Sequence, residues 1–394
     1  MKKKVLFIAP FLTKCGYYYR ARDILDHFLA TNEYDISIIP KKWLGDAITD
    51  IQLEALYADP EKLKTECWDI CISVLPPPEI SHINCKLNVC ITPGIEADRV
   101  IPQWNNRINN EMDLLVVPSN HSKSGFLKQE EPPLSKPVVV NHEGFFDYNK
   151  IEPEFVLDNV LGEEKFLLSM GQWIAGADLY NERKQTSLLI HLFFEAFRGR
   201  EDVSLVLKTY MSQNNLFDFR KIINKISVIK ETLGIGKYPR VHLIHGDIDI
   251  KKMAGLYKDP RCLGFITTTS GEGWGRHIID AAAIGLPIIT PYWSSMTDYL
   301  LEDCTVKLPH SIKPVTPQWL NYNMRAFFNE DSQWAIVDIE KSIPVLQDFV
   351  NGKIEINTQK QKEHIFNNFE LSSSLIDLEK TILEHYAEKE KKTI

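Results

Sequence analysis

The chain has 394 residues, of which 44% are hydrophobic and 25% charged, and a formal net charge of -8. This length suggests roughly two or three domains and is sufficient for buried cores. The negative charge argues against nonspecific nucleic-acid binding, so we expect no nucleic-acid partner, and it does not favour an anionic membrane surface.

Features that would direct the chain to a membrane or an oxidising compartment are weak. No apolar run approaches the roughly 18 residues that a membrane-spanning helix needs, so we expect no integral membrane segment. The apolar stretch 5–12 is short and is broken by Pro10, which favours a first β-strand over a secretion signal. The seven cysteines show neither zinc-finger spacing nor a dense framework, which is typical of reduced thiols. We therefore expect a cytoplasmic protein.

The first half of the chain alternates strands with helices. Short apolar runs predict buried strands at 4–10, 34–40, 69–75, 87–92 and 113–118. The apolar face of the first helix consists of Ala21, Ile24, Leu25, Phe28 and Leu29. We expect Arg20 and Arg22 on its solvated face. This alternation is typical of a parallel, Rossmann-like unit. No GxGxxG motif follows the first strand, which disfavours a bound nicotinamide.

A second series of strands follows and predicts a second domain. The expected strands are 166–171, 203–208, 241–246, 263–268 and 287–290. The low periodicity of 147–164 indicates a linker, and the chain after Pro309 is expected to be mainly helical. We therefore predict two α/β domains, 1–155 and 156–370, followed by a helix at 371–394.

The stretch 267–287 carries the strongest functional pattern, because it combines a strand, a glycine turn, a helix and another strand. The turn contains Gly271, Gly273 and Gly275. Such a junction points backbone N–H groups toward a ligand at the positive end of a helix. Glu272 and Asp280 flank it, about 12 Å apart at most along a helix, so one can hold a sugar and the other a ribose. An ordinary βαβ connection, in which Glu272 complements the helix dipole, explains the same residues.

Glu272-Gly-Trp-Gly, followed by Asp280-Ala-Ala-Ala, Gly285 and Pro287, closely resembles the donor-site signature of family 4 retaining glycosyltransferases, which have the GT-B fold. That signature has two glutamates, whereas here the second acid is Asp280, one methylene shorter. The resemblance implies an α/β protein of GT-B architecture, with two Rossmann-like parallel-sheet domains facing each other across a cleft. It places the donor on the carboxyl-terminal domain and the acceptor on the amino-terminal domain, to which the last helix would return.

The resemblance also implies roles for particular residues. Glu272 would hold hydroxyls of the donor sugar, and Asp280 would hold the ribose. The other donor-side positions are Gly271, Gly273, Trp274, Gly275 and Arg276 in the turn, Gly246 and Asp247 near the base, and Gly16 in the first loop. Arg183 and Lys184 match a basic position against the diphosphate, and such a pair can neutralise a leaving diphosphate. An exposed pair at the start of a helix is the alternative interpretation of these two residues. Lys208 is a further donor-side candidate, although a lysine whose stem covers apolar surface explains it as well.

Two other sets of acids have alternative interpretations. Glu96 follows a strand where open α/β sheets place their ligands, and by resemblance it is a candidate to contact the reacting sugar or the acceptor. A helix cap explains it equally well. Asp247 and Asp249 form a DxD pair, which binds divalent cations in the other large glycosyltransferase fold. Helix capping explains this pair more simply, so we predict no metal site.

The implied activity is hexose transfer from a nucleotide-diphospho-sugar to a hydroxyl, with retention at the anomeric carbon. The resemblance implies metal-independent chemistry without a cofactor, and GDP-mannose is the first candidate donor. The acceptor is a glycan, a lipid-linked molecule or a protein, and a homodimer stays open. Three other functions stay open: a non-hydrolysing nucleotide-sugar epimerase, a sugar phosphorylase, and a catalytically silent nucleotide-sugar-binding protein.

Overall fold

The computed structural model describes residues 2–43, 48–173, 182–212, 214–234, 236–315 and 324–393. The chain divides into two compact units. The first comprises Met1–Gly144, Ala326–Phe328 and Phe369–Ile394, and the second comprises Phe145–Arg325 and Asn329–Asn368.

The first unit contains a six-stranded parallel sheet. Its strands are β1 (Lys3–Ala9), β2 (Tyr34–Pro40), β3 (Trp68–Val74), β4 (Cys85–Ile91), β5 (Leu114–Val117) and β6 (Val138–Val140), in the order β2-β1-β3-β4-β5-β6. The helices that alternate with them are α1 (Gly16–Thr31), α2 (Ile51–Glu54), α3 (Pro60–Thr65), α4 (Pro102–Glu111) and α5 (Asn120–Leu127). The strands read as nearly continuous apolar runs because helices cover both faces of a parallel sheet. Each of the five strands predicted in this half is present.

Helix α1 differs in one respect from the amphipathic helix that its sequence predicts. Leu29 is 40% exposed, whereas Arg20 is only 1% exposed and hydrogen-bonds the side chain of Asn141. The prediction of a solvated face was therefore wrong for Arg20. A buried guanidinium needs such a partner, and Asn141 is too distant in sequence for the helical pattern to reveal it.

The second unit is built around another six-stranded parallel sheet. Its strands are β7 (Lys165–Gln172), β8 (Val203–Tyr210), β9 (Arg240–His245), β10 (Cys262–Ile266), β11 (Ile288–Thr290) and β12 (Thr305–Lys307). Its helices are α6 (Thr186–Ala196), α7 (Leu216–Leu233), α8 (Ile250–Lys258), α9 (Arg276–Ile284) and α10 (Met296–Tyr299). In the strand order β12-β11-β10-β7-β8-β9, β8 and β9 are added on one side of β7, and β10, β11 and β12 are added on its other side. The junction between β7 and β10 is therefore a topological switch point. Open α/β sheets bind ligands at such a switch point, beyond the carboxyl ends of the strands.

The prediction that the chain after Pro309 is mainly helical was wrong for its first part. An antiparallel hairpin, β13 (His310–Pro314) and β14 (Gln333–Val337), lies there. The run Gln-Trp-Ala-Ile-Val has the aromatic and β-branched residues that favour strands. Three helices follow: α11 (Ile339–Val350), α12 (Thr358–Asn368) and α13 (Leu371–Thr393).

Helix α13 belongs to the first unit. Its Leu378 and Ile382 are buried in the same apolar cluster as Phe7 and Ile72 of the sheet. Its first turn is fixed by the side-chain amide of Asn141, which donates to the carbonyl of Ser374 at 2.9 Å.

No helix within the described ranges is both long enough and apolar enough to cross a bilayer.

The boundary between the units lies at Gly144 and Phe145 instead of at residue 155. The segment expected to be a linker contributes packing to the second unit. The ring of Tyr148 lies 5.1 Å from that of Tyr257, and the amide of Glu154 donates to the carbonyl of Lys251 at 3.0 Å.

Candidate functional site

The predicted donor-side residues of the second unit follow two neighbouring strands. Arg183 and Lys184 come after β7, and Glu272 comes after β10. These strands are paired in parallel, so their carboxyl ends lie at the same edge of the sheet. This edge is the topological switch point of the sheet, which explains why Lys184 and Glu272, 88 positions apart in the sequence, converge there.

The carboxylate of Glu272 is the centre of this arrangement. It is 5% exposed, and its Oε1 accepts hydrogen bonds from Lys184 Nζ at 2.5 Å and from Thr269 Oγ1 at 2.9 Å. Arg183 lies 3.4 Å from Oε2. The backbone N–H of Glu272 donates to Ser294 Oγ at 3.0 Å. Both ends of the residue are therefore held in place.

The surrounding charges keep Glu272 ionised. Burial alone raises the pKa of a carboxyl group, but Lys184, Arg183 and His277 outweigh it and lower the pKa of Glu272 to about 2. At neutral pH this carboxylate is a hydrogen-bond acceptor that can bind hydroxyl groups, and it has no proton to donate.

The turn that presents Arg183 and Lys184 is fixed by a buried acid that the sequence analysis missed. Glu182 is 1% exposed, and its carboxylate accepts hydrogen bonds from the backbone amides of Lys184, at 3.0 Å, and of Thr186. Burial raises the pKa of Glu182. An acid just before an apolar helical run is a helix-start signal, and this signal could have identified it.

The same turn is also bonded to the strand end that precedes Glu272. Gln185 adopts a left-handed conformation, with φ of 52°, and its carbonyl accepts from Thr268 Oγ1 at 2.9 Å. The amide of Ser270 donates to the carbonyl of Arg183 at 2.8 Å. These bonds set the positions of the two basic side chains relative to the glycine turn.

The glycine turn itself is anchored by Trp274, which is 2% exposed. Its ring lies 5.0 Å from that of Tyr299, and its carbonyl accepts from Ser295 Oγ at 2.9 Å. Trp274 therefore packs in the interior. Gly271 and Gly273 are buried in the turn, and Arg276 is partly exposed at the start of α9.

Gly275 is the position in the turn that requires glycine. Its φ is +83°, and a Cβ built on it would lie 3.1 Å from Tyr299 Oη and 3.3 Å from Glu272 Cγ. We expect Gly275→Ala to lower the free energy of unfolding by about 2–3 kcal/mol, through backbone strain and these contacts. Urea denaturation measures the change.

The matched control for this variant is Gly199→Ala. Gly199 has a similar φ of +76°, but nothing lies within 4 Å of the position of a Cβ. This control should lose only the strain of about 1–2 kcal/mol. Equal losses in the two variants would show that the contacts with Tyr299 and Glu272 have no energetic role.

Asp280, predicted to hold a ribose, lies on α9 and is 8% exposed. Its Oδ1 accepts the backbone amide of Phe146 at 2.8 Å. The carboxylate is thus committed in part to holding the segment that follows the unit boundary, a contact that the motif does not reveal.

The remaining donor-side candidates lie on β8 and β9 or follow them. Lys208 is partly buried in β8 and is paired in register with Met170 of β7. Gly246 follows β9 with φ of +77°, and Asp247 beside it is exposed. Asp249 accepts the amide of Lys251 at 2.7 Å as the N-cap of α8, as the capping interpretation predicted. Within the described ranges, no group of three or more histidines, cysteines or acids is arranged to hold a metal ion.

His277, in the first turn of α9, is a second residue that the sequence analysis missed. Its ring is partly buried and lies 5.8 Å from that of Phe265. Burial, and then the charge of Lys184, lower the pKa of His277 to about 3, with smaller contributions from Lys208 and Arg183. Its position two residues after Gly275 is the sequence feature that could have singled out His277.

Gly16 and Glu96 belong to the first unit. Gly16 is the first residue of α1, and nothing lies within 4 Å of where its Cβ would be. The next residue, Tyr17, shares a hydrogen bond of 3.1 Å with Thr92, just after β4. Burial raises the pKa of Tyr17, and Glu96 adds to this effect. Glu96 lies in the segment that follows β4.

No protein-family model and no curated protein sequence matches the chain. Solved structures do. The chain is similar to sucrose-phosphate synthase from Thermosynechococcus elongatus, with a TM-score of 0.65 and 11% identity over 98% of this chain and 100% of that one. It is similar to WaaG, a glycosyltransferase involved in lipopolysaccharide biosynthesis, with a TM-score of 0.61 and 13% identity over 96% and 99%.

A third similar structure is HepE from Anabaena in complex with UDP-glucose, with a TM-score of 0.55 and 14% identity over 97% of this chain and 99% of that one. Together with the two parallel six-stranded sheets, these similarities show that the chain has the two-domain GT-B fold, which confirms the predicted fold class.

Proposed function

We propose that this protein is a glycosyltransferase that moves a sugar from a nucleotide-diphospho-sugar to an acceptor hydroxyl. The observation that carries the proposal is the buried carboxylate of Glu272, held against Lys184 and Arg183 beside a glycine turn. The arrangement lies at the switch point of a sheet in a GT-B fold, where such sheets bind ligands.

Each group in this arrangement has a chemical role in the proposal. Arg183 and Lys184 bind the diphosphate, together with the amino-terminal end of α9. The ionised Glu272 accepts hydrogen bonds from hydroxyls of the donor sugar, and backbone amides of the glycine turn donate to hydroxyl oxygens of that sugar. Asp280 holds the ribose.

The remaining roles follow the family resemblance. Lys208 supports the diphosphate end, and Gly246 with Asp247 lies near the base. Gly16 of the first unit belongs to the donor side, and Glu96 contacts the reacting sugar or the acceptor.

We place the chemistry with the retaining enzymes of glycosyltransferase family 4. The acceptor attacks from the face that the leaving group departs from, and the departing phosphate helps to remove the acceptor proton. As the leaving diphosphate gains charge, Arg183 and Lys184 stabilise it, which lowers the barrier. In this proposal protein side chains compensate the charge that develops on the leaving diphosphate, so neither a metal nor a cofactor is required.

For the donor we propose a hexose nucleotide, with GDP-mannose first and UDP-glucose, the ligand in the HepE complex, second. The acceptor is a glycan, a lipid-linked molecule or a protein, and we place the reaction in the cytoplasm. An epimerase would convert the donor without an acceptor, whereas a silent binding protein would bind the donor without converting it.

The test is calorimetric titration of the full chain with GDP-mannose, UDP-glucose and UDP-N-acetylglucosamine, followed by assays of nucleotide release. We expect one donor to bind and to release its nucleoside diphosphate only with an acceptor present, and EDTA to leave the rate unchanged. Conversion of the donor without acceptor would identify an epimerase, and binding without turnover a silent protein. Loss of activity in EDTA with recovery in Mn²⁺ would favour a metal role for Asp247 and Asp249.

A further inference from the structure

The hydroxyl group of Thr269 lies beside the carboxylate of Glu272, between the end of β10 and the glycine turn. Thr269 is fully buried, and its Oγ1 is 2.9 Å from Glu272 Oε1. The same atom is 3.1 Å from the carbonyl oxygen of Gly271 and 3.4 Å from that of Arg183. A hydroxyl has one proton to donate, and the ionised carboxylate is both the nearest and the strongest of these acceptors. The hydrogen bond of Thr269 is therefore made to Glu272.

The backbone of Glu272 is held separately from its carboxylate. Its N–H donates to Ser294 Oγ at 3.0 Å, and its carbonyl accepts the amide of Ser295 at 3.4 Å. These bonds fix the main chain, but the side chain can still rotate about the bonds between Cα and the carboxylate. The direction in which the carboxylate points therefore depends on the side chains that bond its oxygens.

Those side chains are of two kinds. Lys184 and Arg183 contact the carboxylate of Glu272, and the proposed function assigns both of them to the donor diphosphate as well. Their N–H groups are then shared between the carboxylate and the ligand. Thr269 is fully buried, so it does not exchange its bond for one with a ligand. Its hydrogen bond is the one that stays the same when the donor binds.

We propose that Thr269 is a positioning residue through which the site favours nucleotide sugars over nucleoside diphosphates. Its hydroxyl holds Oε1 of Glu272, so the other acceptor positions of the carboxylate stay directed toward the sugar hydroxyls. This inference rests on the proposed function, because it requires Glu272 to bind the donor sugar. Thr269 itself bonds the carboxylate and does not contact the donor.

The expected effect is confined to the sugar. Without the hydroxyl, Lys184 still bonds Oε1 at 2.5 Å, and the carboxylate turns toward this ammonium group at the diphosphate end. The affinity for a nucleotide sugar should then fall by about three- to tenfold, the range for one hydrogen bond in a protein. A nucleoside diphosphate has no sugar for Glu272 to hold, so its affinity should change by less than about twofold.

The experiment is calorimetric titration of the full chain with two pairs of probes, GDP-mannose with GDP and UDP-glucose with UDP. For the pair that binds, the affinity for the nucleotide sugar is divided by the affinity for its nucleoside diphosphate. This ratio isolates the contribution of the sugar, and it requires no acceptor. A purely structural role of Thr269 would weaken both members of a pair and leave the ratio unchanged.

Three variants separate the hydroxyl of Thr269 from its methyl group. Thr269→Val and Thr269→Ala remove the hydroxyl, whereas Thr269→Ser keeps it and loses the methyl. We expect the ratio to fall about three- to tenfold in the first two and to stay within about twofold of the wild type in Thr269→Ser. This rescue should occur although loss of a buried methyl lowers the stability of Thr269→Ser. If Thr269→Val does not fold, Thr269→Ser and Thr269→Ala still differ by the hydroxyl alone.

The matched control is Thr305→Val. Thr305 is 6% exposed, and its Oγ1 donates to the carbonyl of Leu301 at 2.8 Å. It is the first residue of β12, a parallel strand, so it lies at the opposite edge of the sheet from the site. This variant loses a buried hydroxyl of the same kind and should keep the wild-type ratio.

The outcomes separate this inference from the proposed function. A wild-type ratio in Thr269→Val or Thr269→Ala would overturn the role of Thr269 and leave the proposed function standing. A loss that Thr269→Ser shares with Thr269→Ala would also overturn it, because the methyl group and not the hydroxyl would then be responsible. If neither nucleotide sugar binds to the wild type, the proposed donor site is rejected, and the inference with it.

Discussion

Replacing Lys184 by methionine is expected to weaken donor binding by at least tenfold and to lower kcat by about two orders of magnitude. Lys184 Nζ lies 2.5 Å from Glu272 Oε1, and the lysine side chain is 12% exposed. The variant keeps the apolar stem and removes the ammonium group that we assign to the leaving diphosphate. Arg183, 3.4 Å from the other carboxylate oxygen, would be left to compensate Glu272 and the donor together.

The same variant changes stability in a pH-dependent manner. In the wild type the pKa of Glu272 is lowered from 4.5 to about 2, so this group contributes stability above pH 4.5 that is lost as the pH falls toward 2. Loss of Lys184 raises the pKa of Glu272 in the folded state. The stability difference between wild type and Lys184→Met should therefore be largest near neutral pH and shrink below pH 4.5.

Steady-state kinetics, donor calorimetry and urea denaturation at several pH values measure these effects. Lys258→Met is the control, since Lys258 donates to the carbonyl of Ile151 at 2.6 Å and no role in the donor site is assigned to it. Wild-type kcat in Lys184→Met, with the control unchanged, would remove Lys184 from the proposed site.

The sequence predicted the secondary structure around the glycine turn well, because the signals there are local. A strand, a glycine turn and a helix are each specified by neighbouring residues, so the turn at Gly275 and the helix that follows it were predicted correctly. The buried strands of both sheets were also recognisable, because parallel strands covered on both faces are apolar throughout.

The features of the site that were not predicted depend on contacts between distant segments, which no local pattern encodes. The bond from Phe146 to Asp280 and the bond from Thr268 to the carbonyl of Gln185 each join separate loops. Arg20 was misplaced for the same reason, since its partner Asn141 lies in another segment of the chain.

Short edge elements were missed for a different reason. Strands β6 and β12 have three residues each, too few for a periodic pattern to stand out from a loop. The hairpin of β13 and β14 alternates polar and apolar residues only weakly, because one of its strands is mostly exposed.

Glu272→Gln is expected to reduce kcat by about two orders of magnitude while changing donor affinity by less than about tenfold. Glutamine keeps the shape and the hydrogen bond from Thr269 but has no charge to strengthen the contacts with sugar hydroxyls in the transition state. Part of the binding lost at the sugar is offset, because Lys184 is no longer neutralised by a carboxylate that competes with the diphosphate. Lys184→Met lacks this offset, so the two variants should lower kcat alike and differ in affinity.

Glu164→Gln is the matched control for loss of a buried carboxylate. Glu164 is paired with His242 at 2.9 Å and with Arg240 at 3.3 Å, and it precedes β7, at the opposite end of the strand from the site. This variant should lose stability and retain turnover and donor affinity. If Glu272→Gln instead weakens donor binding as strongly as Lys184→Met, then Glu272 does not compete with the diphosphate for Lys184. Glu272 would then act mainly by holding the donor in its ground state.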